Sequence, residues 1–218
     1  MGLSLWIVPN TEDSKLITSI MNVRPTTATA PEQSPESYPK FYPHITLASL
    51  PFSMKSSLEA IELVLSKMHW PPTYRFASVD VGSEYYRSVY VAIHLTTEIS
   101  SLHRQIHEEL NITSRTPYFP HLSLCYITNA DAESGQREKY RQALEENGNM
   151  RTNSECGQGR GIILCFEGPE GEHHQLDQFV AYEIWAVNCE GPVEEWEVLK
   201  KFGFPENIIE QCHSMNPT

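Results

Sequence analysis

One short phrase occurs twice in this chain, and the two copies begin 77 residues apart. Residues 41–47 read Phe-Tyr-Pro-His-Ile-Thr-Leu, and residues 118–124 read Tyr-Phe-Pro-His-Leu-Ser-Leu. Side chains alternate between the two faces of a strand, so each histidine and its hydroxyl point the same way, ~6.6 Å apart at a rise of ~3.3 Å per residue. The repeat therefore predicts two equivalent strands, each with an imidazole and a hydroxyl on one face.

The polar side chains of the two motifs suit phosphate chemistry. His44 and His121 can each take or release a proton near neutral pH. Thr46 and Ser123 can donate hydrogen bonds to a phosphoryl oxygen. Cleavage of a phosphodiester needs a base to activate water and an acid to protonate the leaving oxygen, each contributing ~10²–10⁴-fold. Two facing motifs would supply both groups without a metal ion, whereas the alternative is a duplication that has no catalytic role.

Composition limits the classes of protein that this chain can belong to. Its 218 residues suffice for one well-buried domain, and its net charge of −12, from 16 basic and 28 acidic residues, opposes binding of a long nucleic acid. The five cysteines include no close-spaced pair, which indicates free thiols in a reducing compartment. We find no apolar run of the ~18 residues that span a membrane, and no signal peptide pattern. We therefore expect a cytoplasmic, monomeric protein that binds no membrane.

The pattern of apolar and turn residues predicts strands and helices in alternation. Strands are predicted at 3–8, 43–50, 75–81, 88–95, 120–127, 162–167 and 179–189, and helices at 11–21, 56–68, 99–110, 131–146 and 192–203. Residues 82–84 are predicted to form a hairpin turn. Both halves contain a strand, a helix and a histidine-bearing strand. We therefore expect one α+β domain over residues 1–218, in which two interleaved lobes carry the 41–47 and 118–124 motifs and two antiparallel sheets flank a cleft.

Three further features have ordinary structural explanations. Residues 25–40 contain four prolines and little apolar surface, which predicts a mobile loop that is either a linker or a lid over the site. His103 and His107 have the spacing of metal ligands on a helix, but no third ligand is indicated, and we expect them to be exposed. His173 and His174 are expected to be solvated at the tip of a hairpin.

The two Pro-His-aliphatic-hydroxyl motifs resemble the signature of the two-histidine (2H) phosphoesterases. The segment Leu3–Pro9, and Tyr126 three residues after Ser123, resemble the small cyclic nucleotide phosphodiesterases of fungi and plants. This resemblance implies a bilobal, pseudo-twofold α+β fold, no metal or other cofactor, and hydrolysis of 2′,3′-cyclic nucleotides to 2′-phosphates. That family is also associated with ADP-ribose 1″,2″-cyclic phosphate, a by-product of tRNA splicing.

The resemblance also implies roles for individual residues. His121 is expected to activate water and His44 to protonate the leaving 3′ oxygen. Tyr126 is expected to help bind phosphate only if the strand twists or ends before it, because three positions from Ser123 reverse the direction of a side chain in a regular strand. Trp6 is expected either to stack on a base or to lie in the core.

Several other functions remain open at this point. An exoribonuclease that trims RNA 3′ ends would need a basic path for the strand, which a charge of −12 makes harder to build. A non-catalytic nucleotide-binding module is disfavoured because both motifs keep their histidine. A metal-dependent phosphatase is least favoured, since no carboxylate lies beside either motif and the cysteines lack ligand spacing.

Overall fold

An antiparallel sheet of seven strands carries both repeated motifs. The computed structural model describes residues 2–25, 33–68, 73–153, 161–168 and 171–203. The strands are β1 (Leu3–Pro9), β2 (Ile45–Leu50), β3 (Thr73–Glu84), β4 (Arg87–Ile93), β5 (His121–Cys125), β6 (Met150–Asn153), β7 (Gly161–Glu167), β8 (His173–Leu176), β9 (Gln178–Asn188) and β10 (Glu197–Gly203). The helices are α1 (Thr11–Met21), α2 (Leu58–Leu65), α3 (Thr97–Glu109), α4 (Asn129–Glu133) and α5 (Gln136–Glu146), with 3₁₀ turns at Phe52–Ser57 and Val193–Glu195.

The large sheet has the strand order β1-β2-β5-β4-β3-β9-β10, and β1 also pairs with β9, so the sheet curls back on itself. A second antiparallel sheet contains β6, β7 and β8. The predicted α+β class with two antiparallel sheets is confirmed. The two motif strands, β2 and β5, are direct neighbours in the large sheet and pair at Ile45 and Leu122, so the motifs do not lie on separate sheets.

Strand β1 is the centre of the arrangement. All seven of its residues are buried, because β2 pairs with one of its edges and β9 with the other. The chain then turns into α1, where the Asn10 side chain accepts a hydrogen bond from the Asp13 backbone N–H (2.9 Å) and so caps the helix. Ile17 and Ile20 of α1 are fully buried in the core. The apolar run at the N-terminus is thus a core strand, as predicted.

The predicted helix at 192–203 is wrong. After the short turn Val193–Glu195, residues Glu197–Gly203 form β10, which pairs antiparallel with β9. The apolar spacing of this segment fits a strand nearly as well as a helix. Pairing decides between them, because the outer edge of β9 offers backbone groups that need hydrogen-bond partners. This change brings Trp196, just before β10, towards the motifs.

The hairpin of β3 and β4 was predicted correctly, but its turn lies at Tyr85 and Tyr86, two residues later than predicted. The ladder is irregular between Val81 and Glu84. Gly82 is needed there, because a Cβ at this position would collide with the carbonyl oxygen of Arg87. The displaced turn places two aromatic rings beside the second motif.

Part of the proline-rich segment packs against the second half of the chain. Residues 33–40 form no helix or strand. The backbone N–H of Tyr38 donates to the carbonyl of Tyr126 (2.7 Å), and the Ser37 hydroxyl donates to Asp131 Oδ2 (2.5 Å). The rest of the predicted loop, residues 26–32, lies outside the described residues, so its mobility stays a prediction.

The expectation for the α3 histidines is wrong for His107, which is buried. His103 is half-buried: its Nε2 shares a hydrogen bond with the Thr116 hydroxyl (2.7 Å), and its ring stacks on Phe119 at 4.3 Å. His103 therefore packs α3 against the segment that leads into the second motif. His173 and His174 are exposed, as predicted. None of the helices in the described ranges is long and apolar enough to cross a bilayer.

Candidate active site

Both motifs line one cavity of about 710 Å³. All six residues predicted for the site contribute to its wall: Trp6, His44, Thr46, His121, Ser123 and Tyr126. The structure therefore brings together every residue that the sequence singled out. The volume of this cavity lies in the range of binding sites for small organic ligands.

The register of β2 and β5 explains why the four polar side chains meet. Ile45 and Leu122 are paired, and both are fully buried on the core side of the sheet. Because neighbouring residues alternate faces, the residues that flank this pair point to the opposite side, into the cavity. Antiparallel pairing sets each histidine opposite the hydroxyl of the other motif, His44 opposite Ser123 and His121 opposite Thr46. The pair Ile45–Leu122 thus lies at the centre of a local twofold arrangement.

The two imidazole rings are held in the same tautomer. His44 Nδ1 lies 2.7 Å from the carbonyl oxygen of Tyr42, and His121 Nδ1 lies 3.0 Å from that of Tyr118. A carbonyl oxygen only accepts, so Nδ1 must carry the proton in both rings. Nε2 is then the atom that can take a proton from a ligand when the ring is neutral and return it when the ring is charged. The aromatic residues ahead of each histidine thus supply the backbone that orients it.

Burial makes both imidazoles harder to protonate. It lowers the pKa of His44 to about 4, an effect that His121 reinforces and the Tyr42 carbonyl opposes. Burial also lowers the pKa of His121, where the positive charge of Arg87 acts in the same direction and the Tyr118 carbonyl opposes it. His44 is 6 % exposed, whereas His121 is more open to solvent. In the free protein at neutral pH both rings are therefore neutral.

Trp6 forms the wall behind His44. The two rings stack at 3.6 Å between centroids with planes 8° apart. The indole N–H donates to the Ser4 hydroxyl (3.1 Å), which in turn donates to the Ala48 carbonyl (3.3 Å). His44 covers one face of the indole, and Trp6 is only 3 % exposed. Stacking of Trp6 on a base stays a prediction, while its contact with His44 is a feature that sequence reasoning missed.

The two hydroxyls differ in the resting structure. The Ser123 hydroxyl donates to the carbonyl of Tyr86 in the β3–β4 turn (2.9 Å). The Thr46 hydroxyl has no hydrogen-bond partner among the described residues and lines the cavity. The Thr46 hydroxyl can thus donate to an incoming anion directly, whereas the Ser123 hydroxyl must first break its hydrogen bond to the Tyr86 carbonyl.

Replacement of Thr46 by valine is expected to lower kcat/KM for the cyclic phosphodiester substrate that the sequence resemblance implies by about 10- to 100-fold, since a hydrogen bond to a charged group contributes ~1.5–3 kcal/mol. Valine keeps the shape and the β-branch of threonine. Ser123→Ala is the matched comparison and is expected to cost less, because its hydroxyl already has a partner in the free protein. Steady-state kinetics of both variants test this order, and a larger loss for Ser123→Ala would contradict it.

Tyr126 reaches the cavity because β5 ends at Cys125, which frees it from the alternation of the strand. Its ring stacks on Phe41 of the first motif, with centroids 4.0 Å apart and planes 3° apart. Burial raises the pKa of Tyr126 far above its usual range, although the nearby Ser123 hydroxyl opposes this. Tyr126 is therefore a neutral phenol that can donate a hydrogen bond.

Several large side chains that line the site were not predicted for it, among them Tyr86, Arg87, Tyr118 and Trp196. Trp196 makes an edge-on contact with Trp6 at 5.8 Å and lies 5.9 Å from the ring of Tyr86. The sequence held one usable signal, the pair of tyrosines directly before an arginine at a hairpin turn. Trp196 was missed because its segment was predicted to be a helix.

Across the described residues, no group of three or more His, Cys, Asp or Glu side chains is arranged to hold a metal ion.

Two histidines and two hydroxyls lie on one face of adjacent antiparallel strands, which is the arrangement that the sequence predicted. The chain belongs to the family of cyclic phosphodiesterase-like proteins, whose family model matches residues 1–204. The resemblance seen in the sequence is thereby confirmed, as is the predicted enzyme class, a cyclic phosphodiester hydrolase.

Individual relatives are distant in sequence. The 2′,3′-cyclic-nucleotide 3′-phosphodiesterase of Kluyveromyces lactis is 26 % identical over 236 aligned residues, covering 92 % of this chain and 98 % of that protein. The cyclic phosphodiesterase of Arabidopsis thaliana is 25 % identical over 142 residues, covering 63 % of this chain and 72 % of that protein. Among solved structures, LigT of E. coli complexed with 3′-AMP has 12 % identity and a TM-score of 0.49, and covers 94 % of this chain and 98 % of that chain.

Proposed function

We propose that this protein hydrolyses nucleoside 2′,3′-cyclic phosphates to nucleoside 2′-phosphates by acid–base catalysis. The observation that carries the proposal is the convergence of His44, Thr46, His121 and Ser123 on one cavity, with Nε2 of each imidazole left for the ligand. The yeast relative's name describes the same reaction.

The chemical step needs one neutral and one protonated imidazole. Nε2 of His121 takes a proton from the attacking water, whose oxygen forms the new bond to phosphorus. The bond between phosphorus and the 3′ oxygen breaks, and Nε2 of the protonated His44 gives its proton to that oxygen. We assign water activation to His121 because it is the more solvent-accessible ring. The strain of the five-membered ring lowers the barrier, so the two histidines and their hydroxyls suffice.

Thr46, Ser123 and Tyr126 donate hydrogen bonds to the phosphoryl oxygens, whose negative charge grows in the transition state. The cavity has room for a nucleotide larger than a nucleoside monophosphate. We therefore include ADP-ribose 1″,2″-cyclic phosphate as a second candidate substrate, with a 1″-phosphate product.

The test is incubation of the purified protein with adenosine 2′,3′-cyclic phosphate and excess chelator, followed by chromatographic separation of 2′-AMP from 3′-AMP. Formation of 2′-AMP is expected. Formation of 3′-AMP would contradict the assigned bond. Binding without turnover would indicate a nucleotide-binding module, and turnover only with an added divalent ion would indicate a metal-dependent phosphatase. Faster shortening of RNA from its 3′ end than hydrolysis of the mononucleotide would indicate an exoribonuclease.

The pH dependence follows from the two lowered pKa values. Since the pKa of His44 is about 4 and that of His121 is below its usual 6.5, the singly protonated pair is most abundant on the acid side of pH 6.5. Above both pKa values its fraction falls about tenfold per pH unit. We expect kcat/KM to peak below pH 6.5 and to fall at that rate through pH 7 to 8.

The profile of kcat is expected to extend to higher pH, because a bound phosphate anion stabilises the imidazolium and raises its pKa. Initial rates from pH 4 to 9 give both profiles. A kcat/KM that stays level or rises between pH 6.5 and 8 would contradict the protonation states assigned to the free protein.

A further inference from the structure

Arg87 is a positively charged residue of the cavity that has no role in the reaction described above. It begins β4, and its guanidinium carbon lies 3.5 Å from the ring centroid of Tyr118 and 4.9 Å from that of Tyr90. Its Nη1 donates to the Tyr90 hydroxyl (3.0 Å). Its Nε is buried and has no hydrogen-bond partner among the described residues. A guanidinium carries five N–H donors, so most of the hydrogen-bonding capacity of Arg87 is open to a ligand.

The charge of Arg87 is not neutralised by a close ion pair. None of the described carboxylates lies within ion-pair distance of it, although Glu84 is its partner across the β3–β4 ladder and Glu190 also lines the cavity. Its field reaches the site, since it lowers the pKa of His121. In a chain with a net charge of −12, an unpaired guanidinium in a cavity indicates an anionic ligand.

The position of Arg87 separates it from the reacting phosphate. That phosphate lies over β2 and β5, whose facing side chains are the two histidines and two hydroxyls. Arg87 belongs to β4, the next strand outward, ~4.8 Å further across the sheet. The Tyr90 ring contacts both sides, 5.3 Å from the ring of His121 and 4.9 Å from the guanidinium carbon of Arg87. An anion bound by Arg87 is therefore a different group of the same ligand.

We propose that Arg87 forms a subsite for a second phosphate group, so that the preferred substrates are cyclic phosphates that carry a further phosphate elsewhere on the molecule. This inference rests on the proposed cyclic phosphodiesterase activity and specifies its substrate class. Stacking on Tyr118 and the bond to Tyr90 fix the plane of the guanidinium, which suits two-point binding of a phosphate. Arg115, exposed at the same rim, adds positive charge.

The experiment compares adenosine 2′,3′-cyclic phosphate with the same molecule phosphorylated on its 5′ oxygen. For the wild-type protein, kcat/KM is expected to be at least about tenfold higher for the 5′-phosphorylated substrate, through a lower KM. In Arg87→Gln this ratio is expected to fall to about one, and in Arg87→Lys to an intermediate value. Arg104→Gln is the matched control, because Arg104 pairs with Glu108 on the surface of α3, and it should keep the wild-type ratio.

A ratio cancels losses that the two substrates share, so a general weakening of the site does not imitate the effect. A wild-type ratio near one would overturn the proposal and leave the cyclic phosphodiesterase activity standing. An unchanged ratio in Arg87→Gln, with kcat lowered equally for both substrates, would also overturn it and would place Arg87 at the reacting phosphate. Failure of the wild-type protein to hydrolyse either substrate would instead overturn the proposed function.

Binding supplies a readout without turnover, which also serves if Arg87→Gln is unstable. In the His121→Ala background, 2′-AMP and adenosine 2′,5′-bisphosphate are titrated by calorimetry. The bisphosphate is expected to bind at least about tenfold more tightly, and its advantage should shrink as salt rises, since charge pairs at an open cavity are screened. Equal affinities would overturn the subsite.

Discussion

Replacement of either His44 or His121 by alanine is expected to lower kcat/KM for adenosine 2′,3′-cyclic phosphate by at least ~10²-fold, because each ring carries one of the two proton transfers. The double variant is expected to be little worse than either single variant, since the two rings act as a unit. Steady-state kinetics in the presence of a chelator provide the measurement.

A loss of folding must be separated from a loss of chemistry, because His44 is buried against Trp6. Thermal unfolding of each variant gives that comparison. His173→Ala is the control, since this histidine is exposed on β8, in the other sheet, and should keep wild-type kinetics. Near wild-type turnover by both His44→Ala and His121→Ala would refute the acid–base assignment.

Replacement of Trp6 by leucine is expected to affect both stability and catalysis. Removal of most of a buried indole destabilises a core by a few kcal/mol, about 3–5 for complete truncation to alanine. In addition, His44 loses the ring that it stacks on, a contact of ~0.5–1.5 kcal/mol beyond the area that it buries. We therefore expect a lower kcat and a displaced acid limb of the pH profile, because Trp6 fixes the orientation and the burial of His44.

Trp185→Leu is the matched control for this variant. Trp185 is paired with Trp6 across β1 and β9 and is 6 % exposed, but it contacts Tyr42 and Lys201 and does not line the cavity. Its replacement should lower the melting temperature by a similar amount and leave the pH profile in place. If both tryptophan variants shift the acid limb of the pH profile by the same amount, Trp6 has only a structural role. If Trp6→Leu alone raises KM with kcat unchanged, the predicted stacking on a base is the better explanation.

The surroundings of the two histidines differ, and this asymmetry supports the assignment of water activation to His121. His44 lies against Trp6 and is almost fully buried, whereas His121 faces Tyr90 edge-on at 5.3 Å and is more accessible. Water thus has an easier approach to His121. The same asymmetry applies to the hydroxyls: that of Thr46 has no hydrogen-bond partner within the described part of the chain, whereas that of Ser123 is bonded to the hairpin turn.

Most of the proposed catalytic residues could be predicted from the repeated sequence motif. His44, Thr46, His121 and Ser123 follow from local geometry alone, because alternation in a strand sets each histidine and its hydroxyl on one face. Tyr126 required one more fact, the end of β5 at Cys125, which the sequence did not specify. Monomeric state and cytoplasmic location remain predictions from composition.

The errors share a physical cause. Residues 192–203 carry apolar spacing that fits either periodicity, and the free edge of β9 decided in favour of a strand. His107 was expected at the surface because local sequence does not report what packs against a helix, and in the structure it is buried with its ring 4.3 Å from that of His103. In both cases the surrounding fold, which local sequence does not report, overrode the local signal.

By itself, the sequence identified the side chains to which we assign the proposed chemistry, because the strand period and the fixed spacing of histidine and hydroxyl are local properties. Only the tertiary structure decided how they are combined. The pairing of Ile45 with Leu122 makes the motifs neighbours, and the pairing of β1 with β2, in which Trp6 lies opposite Thr46, brings Trp6 against His44. The turn of β3 and β4 likewise brings Arg87 beside the site. The first two of these contacts depend on hydrogen bonding between strands that are far apart in sequence, which no local pattern encodes.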